Sequence, residues 1–231
     1  MSVTSSATRL NTGSPYTRIR SGAIVSGYRQ TVGDSHYFSA SPGGKRRPGT
    51  VGLRVGDLDL ELATDRGVFS PEELDFGTRY LLAEAPRPPQ NGALLDLGCG
   101  YGPIAVALSQ WAPQDPLWAV DVNPRALELC RANLDRHGRP DAVVCLPDDV
   151  PPDVRFAAIY SNPPIRIGKA ALHEVLATWL GRLAADGRAY LVVNKNLGSD
   201  SLARWLNQQR WPTTRLSSRR GYRILEIRQR C

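Results

Sequence analysis

The sequence predicts an α/β protein: a mostly parallel, seven-stranded sheet with helices on both faces. Three observations carry that expectation. From residue 91 onward, short apolar runs alternate with helical stretches, the pattern of strands laid parallel through crossover helices. Ala93-Leu94-Leu95-Asp96-Leu97 is nearly continuous in apolar character, as a buried strand is. The last two strand-like segments have no helix between them, which predicts an antiparallel C-terminal strand.

The elements follow in order. Residues 1–35 read as a flexible basic tail, and residues 36–231 as one domain opening with a β-rich segment over residues 36–90. His36-Tyr37-Phe38-Ser39 is a strand candidate, and residues 41–48 form a Gly/Pro/basic loop. Val51, Leu53 and Val55 alternate with polar or small residues, as do Leu58, Leu60 and Leu62. That period of two predicts a hairpin through Gly56-Asp57. Ser70-Pro71-Glu72-Glu73 has the marks of a helix start: a serine cap, a proline in the first turn, and acids favoured by the helix dipole. This helix ends by Ala85, before Pro86. After strand 93–97, Pro103 opens a helix to Trp111. Strand 117–121 leads to an amphipathic helix, Pro124 to Arg136, through Leu127, Cys130 and Leu134. Strands at 142–146 and 156–161 precede a long helix from Lys169 to Ala184. A strand at 188–194 and a helix at 199–209 come next. Strands at 213–217 and 222–228, joined at Arg219-Arg220-Gly221, close the chain.

At 231 residues the chain suits one domain with a full core, or one domain plus a tail. Its net charge is +7, nearly all the positive charge being arginine. Arginine stays ionised and grips phosphate in bidentate fashion, so a phosphate-facing surface is one explanation and a GC-rich genome another. Cys99, Cys130, Cys145 and Cys231 form no Cys-x-x-Cys pair, and no metal site is legible. Free thiols fit a reducing cytoplasm. No apolar run reaches membrane-spanning length. The first 33 residues hold no acid. They read as a disordered basic arm; a transit peptide or an upstream extension shares that composition.

Asp96-Leu97-Gly98-Cys99-Gly100-Tyr101-Gly102 closes the first strand of the alternating region. In doubly wound sheets, ligands bind beyond the carboxyl ends of strands, where glycines let the backbone approach them. The pattern is Gly-x-Gly-x-Gly followed by Pro103, not the Gly-x-Gly-x-x-Gly of a dinucleotide binder. Asp121 closes the next strand, about 20 residues on, where an acid accepts from ribose hydroxyls. With Val122-Asn123-Pro124 it also serves as a helix start. Turn and acid together favour S-adenosylmethionine over a nicotinamide cofactor, because the former has no pyrophosphate to cradle. Either Asp148 or Asp149 is placed to accept from an adenine amino group, or both are merely solvated.

Asn162-Pro163-Pro164-Ile165 ends the fourth strand of this region, on the same rim. An asparagine carbonyl and the following backbone carbonyl both accept from one NH2 group, and the prolines fix the backbone. The exocyclic amine of a base is a poor nucleophile because its lone pair is delocalised. Two acceptors hold it, favour a more tetrahedral nitrogen and aim the lone pair. No strong base is needed, since the methylated nitrogen becomes acidic.

With these residues in view, the chain resembles the class I, Rossmann-like methyltransferases with a "methyltransferase small" domain. It is most similar to the bacterial 16S ribosomal RNA guanine-N2 methyltransferases and their single-domain relatives. The resemblance spans about residues 36–229 and rests on several strings besides the glycine turn. They are residues 64–70, Leu74-Asp75-Phe76-Gly77-Thr78, residues 162–169, and Gly221-Tyr222-Arg223-Ile224-Leu225. It implies S-adenosylmethionine bound by Asp96, Gly98, Cys99, Gly100, Asp121 and Val122, with Asn162 to Ile165 around the target amine. It implies that Val68, Phe69 and Ser70 close over the methionine end. Arg166, Lys169, Arg219, Arg220 and Arg223 would form a phosphate-contacting rim, though each alone reads as a solvated surface residue.

Two features depart from the family. Two-domain members carry a degenerate first copy for which this chain is too short, and Phe156-Ala157 stands where relatives often have Phe-Asp. The expected function is therefore guanine-N2 methylation of ribosomal RNA by a cytoplasmic monomer. A protein-glutamine or DNA-adenine methyltransferase is the alternative, although an aromatic residue usually follows the prolines there. A non-catalytic RNA-binding assembly factor of the same fold is the third.

Overall fold

In chain order the elements are β1 (Pro48–Val55), β2 (Leu58–Asp65), α1 (Phe76–Glu84), β3 (Leu94–Leu97) and α2 (Pro103–Trp111). Then come β4 (Leu117–Val120), α3 (Pro124–Arg136), β5 (Val143–Cys145), β6 (Phe156–Ser161) and α4 (Lys169–Leu180). The chain closes with β7 (Leu183–Asn194), α5 (Ser199–Gln208), β8 (Thr213–Arg219) and β9 (Tyr222–Arg228). The computed structural model describes residues 48–65, 72–164 and 167–230. The tail at 1–35 and the strand expected at 36–39 lie outside the described residues, as do Val68, Phe69, Ser70, Ile165 and Arg166.

Among the described residues, seven strands form one sheet in the order β5-β4-β3-β6-β7-β9-β8, parallel from β5 to β7. The alternation of side chains explains the layers. Leu94, Leu117, Ala119 and Tyr160 pack on one face with the hairpin, α1, α2 and α3. Leu95, Trp118, Val120 and Ile159 pack on the other with α4 and α5. Each fully buried aliphatic side chain stabilises the fold by about 1.5–3 kcal/mol, so strands buried on both faces anchor both layers.

β9 is antiparallel to both of its neighbours, β7 and β8. It is not the edge strand. It lies between them, and the reason is visible in composition: Ile224, Leu225 and Ile227 are buried, whereas β8 is polar and exposed.

Two helix boundaries differ from expectation. α1 starts at Phe76, not at Ser70-Pro71. Leu74 is buried in the core and pins the chain there, and Asp75 then acts as the cap, accepting from the Thr78 N–H at 3.0 Å. Glu72 and Glu73 are solvated. α4 stops at Leu180, not at Ala184. The Arg182 carbonyl accepts from Phe156, and Leu183 pairs with Phe156 as β7 begins.

β1 and β2 form a separate antiparallel sheet in full register, Val51 facing Leu62. It docks through Asn133 of α3, which treats β2 as a strand would. Its Oδ1 accepts from the Ala63 N–H at 2.7 Å, and its Nδ2 donates to the Ala63 carbonyl at 2.8 Å. The same Nδ2 donates to the Tyr101 carbonyl at 2.8 Å, inside the glycine turn. An ion pair between Arg125 and Asp65, both largely buried, adds a second tie.

Candidate functional site

A cavity of about 550 Å³ opens beyond the carboxyl ends of β3, β4 and β6. That is within the usual size of a small-molecule site, and the place is the one a doubly wound sheet reserves for ligands. Its floor is the turn after β3. Gly98, Gly100 and Gly102 all have positive φ, at 76°, 55° and 92°. At Gly102 a Cβ would also lie 2.7 Å from Cys130 Sγ and 3.2 Å from its Cα, so this turn packs directly on α3. The Gly98 and Cys99 amides are consumed by the Val120 carbonyl, at 2.8 and 3.0 Å.

Asp121 faces this turn. One oxygen accepts from the Gly100 N–H and the other from the Asn123 N–H, each at 2.9 Å. Each carboxylate oxygen keeps a further lone pair for a ligand hydroxyl. Asp121 and Val122 both line the cavity, Val122 with 45 % of its surface exposed at the lip.

Asp96 behaves differently. It is fully buried and does not line the cavity. One oxygen accepts from the Ala105 N–H at 2.9 Å, holding the first turn of α2; the other has no partner among the described residues. Burial pushes its carboxyl up to about 8, opposed by the Ala105 N–H and reinforced by the charge on Asp121. Asp148 and Asp149 sit exposed in a short 3-10 turn, and only the preceding Pro147 lines the cavity. Neither acid lines the cavity itself.

Asn162, Pro163 and Pro164 line the opposite wall. The preceding Ser161 donates to the Leu97 carbonyl at 2.6 Å, stitching β6 to the end of β3. Asn162 Nδ2 donates to Asp75 Oδ2 at 2.8 Å and to Thr78 Oγ1 at 3.0 Å. With its amide nitrogen so engaged, Asn162 presents its carbonyl oxygen as the atom with acceptor capacity to spare. Asp75 thus caps α1 and sets the orientation of Asn162 through the same oxygen.

The rest of this half comes from distant segments: Ile167, Val175 and Trp179, then Asn194 and Tyr222. Tyr101 also lines it. Its hydroxyl is buried without a partner among the described residues, and burial, then the charge on Asp75, push its pKa up, so it stays a neutral donor. A buried hydroxyl of this kind needs a partner from water or ligand.

The residues present fit S-adenosylmethionine. The glycine floor admits a flat ligand backbone-close, and Asp121 offers carboxylate oxygens to a diol. Among the described residues, no group of three His, Cys, Asp or Glu is placed to hold a metal ion, and no helix is long and apolar enough to cross a membrane.

The basic residues divide. Arg219, Arg220 and Arg223 share a second cavity. Lys169, at the exposed start of α4, lines neither. The motif reading did not mark Asp75, Thr78, Trp179 or Asn194 as site residues. Asp75 carried a weak signal, since Asp is a favoured N-cap residue, and the stronger local pattern at Ser70-Pro71 masked it.

The family model described as "Methyltransferase small domain" matches residues 59–226. An uncharacterized protein of Bacillus subtilis is 32% identical over 197 residues, which is 84% of this chain and 98% of that protein. The ribosomal RNA small subunit methyltransferase C of Shewanella amazonensis is 34% identical over 157 residues, 66% of this chain and 46% of that protein. The chain therefore spans about half the length of that larger relative. Among solved structures, the T. thermophilus 16S rRNA N2 G1207 methyltransferase in complex with AdoMet and guanosine superposes with a TM-score of 0.68 at 21% identity. The match covers 79% of this chain and 51% of that one, and the likeness is one of fold.

Proposed function

The chain belongs to the methyltransferase small domain family, and on that premise we propose that it transfers a methyl group from S-adenosylmethionine to the exocyclic N2 amine of a guanine in ribosomal RNA. The observation that carries this reading is the amide of Asn162, whose nitrogen is held by Asp75 and Thr78 so that its oxygen is left to accept. The cofactor supplies an electrophilic methyl group on a sulfonium.

The protein's own residues do the rest. Gly98 and Gly100 bring the backbone against the cofactor, Asp121 accepts from its ribose, and Val122 covers its base at the lip. Asn162 Oδ1 accepts from one amine hydrogen, and the rigid Pro163-Pro164 backbone fixes the second acceptor. Held so, the nitrogen lone pair points at the methyl carbon. The N–C bond forms as the C–S bond breaks, and the surplus amine proton is lost to water. Orientation supplies most of the acceleration, so no general base is required. The reading includes a monomer, acting in the cytoplasm where ribosomal RNA is made.

The test is radiolabelled methyl transfer to small-subunit RNA, naked and assembled, with Asn162→Ala as control. Mass spectrometry of ribosomal RNA nucleosides from a deletion strain should lose one N2-methylguanosine. Labelling of protein or DNA alone would replace the RNA reading. Failure to bind the cofactor in calorimetry would turn it towards a non-catalytic assembly factor.

A further inference from the structure

The tip of the β8–β9 hairpin encloses a second cavity of about 350 Å³. Lys195, Arg215, Arg219, Arg220 and Arg223 line it, and no carboxylate of the described residues does. Gathering like charges is unfavourable unless something of opposite charge offsets it. Asp200 does so for Arg223, through an ion pair. Arg220 lies over the Phe76 ring, its guanidinium carbon 5.3 Å from the centroid. Lys195, Arg215 and Arg219 are exposed and make no ion pair with any described residue.

These cations are held in place. The Lys195 N–H donates to the Gly221 carbonyl at 2.6 Å, tying the end of β7 to the hairpin tip. The tip itself turns through two left-handed residues, Arg220 at φ 49° and Gly221 at φ 80°. Tyr222, next in the chain, lines both cavities. It rests against Phe76, ring centroids 5.3 Å apart, in a space kept open because residue 77 has no side chain. A Cβ at Gly77 would come within 3.0 Å of Tyr222 Cε1. One fixed aromatic ring therefore separates the basic cavity from the site of methyl transfer.

We propose that Lys195, Arg215 and Arg219 form a phosphodiester subsite for the RNA strand whose target base enters the main cavity past Tyr222. This rests on the reading above. A nucleoside seated in the main cavity carries its neighbouring phosphates with it, and the basic cavity is where the adjoining wall supplies cations. The subsite takes Lys195 and Arg215 in place of Lys169.

The test uses the full chain with Lys195→Gln, Arg215→Gln and Arg219→Gln, singly and combined. Binding of a fluorescein-labelled single-stranded RNA is followed by anisotropy across a salt series. Each lost phosphate contact should flatten the slope of log K against log salt by about 0.7. The combined variant should raise KM for RNA at least tenfold, with kcat and calorimetric cofactor affinity unchanged. Inorganic phosphate should compete with RNA on the wild type and not on the combined variant. An unchanged salt slope and KM, or displacement of RNA by polyglutamate and not by phosphate, would overturn the subsite. If the wild type binds RNA with the predicted slopes but methylates none, the subsite stands and the guanine-N2 reading falls.

Discussion

The two halves of the main cavity are built in opposite ways. The half proposed for the cofactor is local: one seven-residue turn, plus an acid whose carboxylate is bonded back to that turn. Its working parts are mostly backbone. The half proposed for the target is assembled from α1, α4, β7, β9 and the end of β6, and its working parts are side chains. Asp75 and Asn162, bonded at 2.8 Å, are 87 residues apart in sequence. A backbone site tolerates side-chain changes but not changes of conformation; a side-chain site is the reverse. Variants should separate the halves on that basis.

The largest effect belongs to Asn162→Ala. Removing a positioned group from the reacting nitrogen should lower kcat about 10³-fold, with cofactor affinity held within a few-fold in calorimetry. Gly102→Ala attacks the other half. Positive φ and contact with Cys130 should together cost about 3 kcal/mol in denaturant unfolding and abolish cofactor binding, an effect no side-chain loss on the target side should mimic. Asp75→Ala lets the Asn162 amide rotate. It should lower kcat by roughly 10–10²-fold, and in a double mutant with Asn162→Ala the two losses should not add. It should also cost about 1 kcal/mol through the lost cap.

The last effect is a pH dependence. Asp96 titrates near 8 when folded and near the ordinary 3.8 when unfolded. Between those values the unfolded chain binds fewer protons, so stability contributed here falls as pH rises from about 4 to about 8. In Asp96→Asn that slope should disappear from urea midpoints measured across the window. An unchanged slope would assign it to other groups.

The contrast also accounts for what the sequence disclosed. Strand and helix alternation, the hairpin through Gly56-Asp57 and the glycine turn were legible because each depends on neighbours in the chain. So was Asn162, because Asn-Pro-Pro is a compact motif. The partners of Asn162 were not, since the signal at Asp75 is weak until β6 folds beside α1. The placement of β9 inside the sheet depends on a crossing that pattern alone leaves open. The early end of α4 is set by Phe156, pairing from the far side of the connection. Asp148 and Asp149 lie near the expected strand end and are exposed beside Pro147, which lines the cavity.

Asn133 gives the hairpin a bearing on all this. One amide group is shared between the β2 backbone and the carbonyl of Tyr101, so the small sheet and the glycine turn answer to the same side chain. If the hairpin peels away, Asn133 loses two of its three bonds, and the one it keeps, to the Tyr101 carbonyl of the turn, is then made by an amide free to rotate. Opening at the periphery is thereby felt at the floor of the cavity. In hydrogen exchange the Ala63 and Gly100 amides should then report a single opening event, and cofactor should slow both, although Ala63 lies in a strand outside the main sheet.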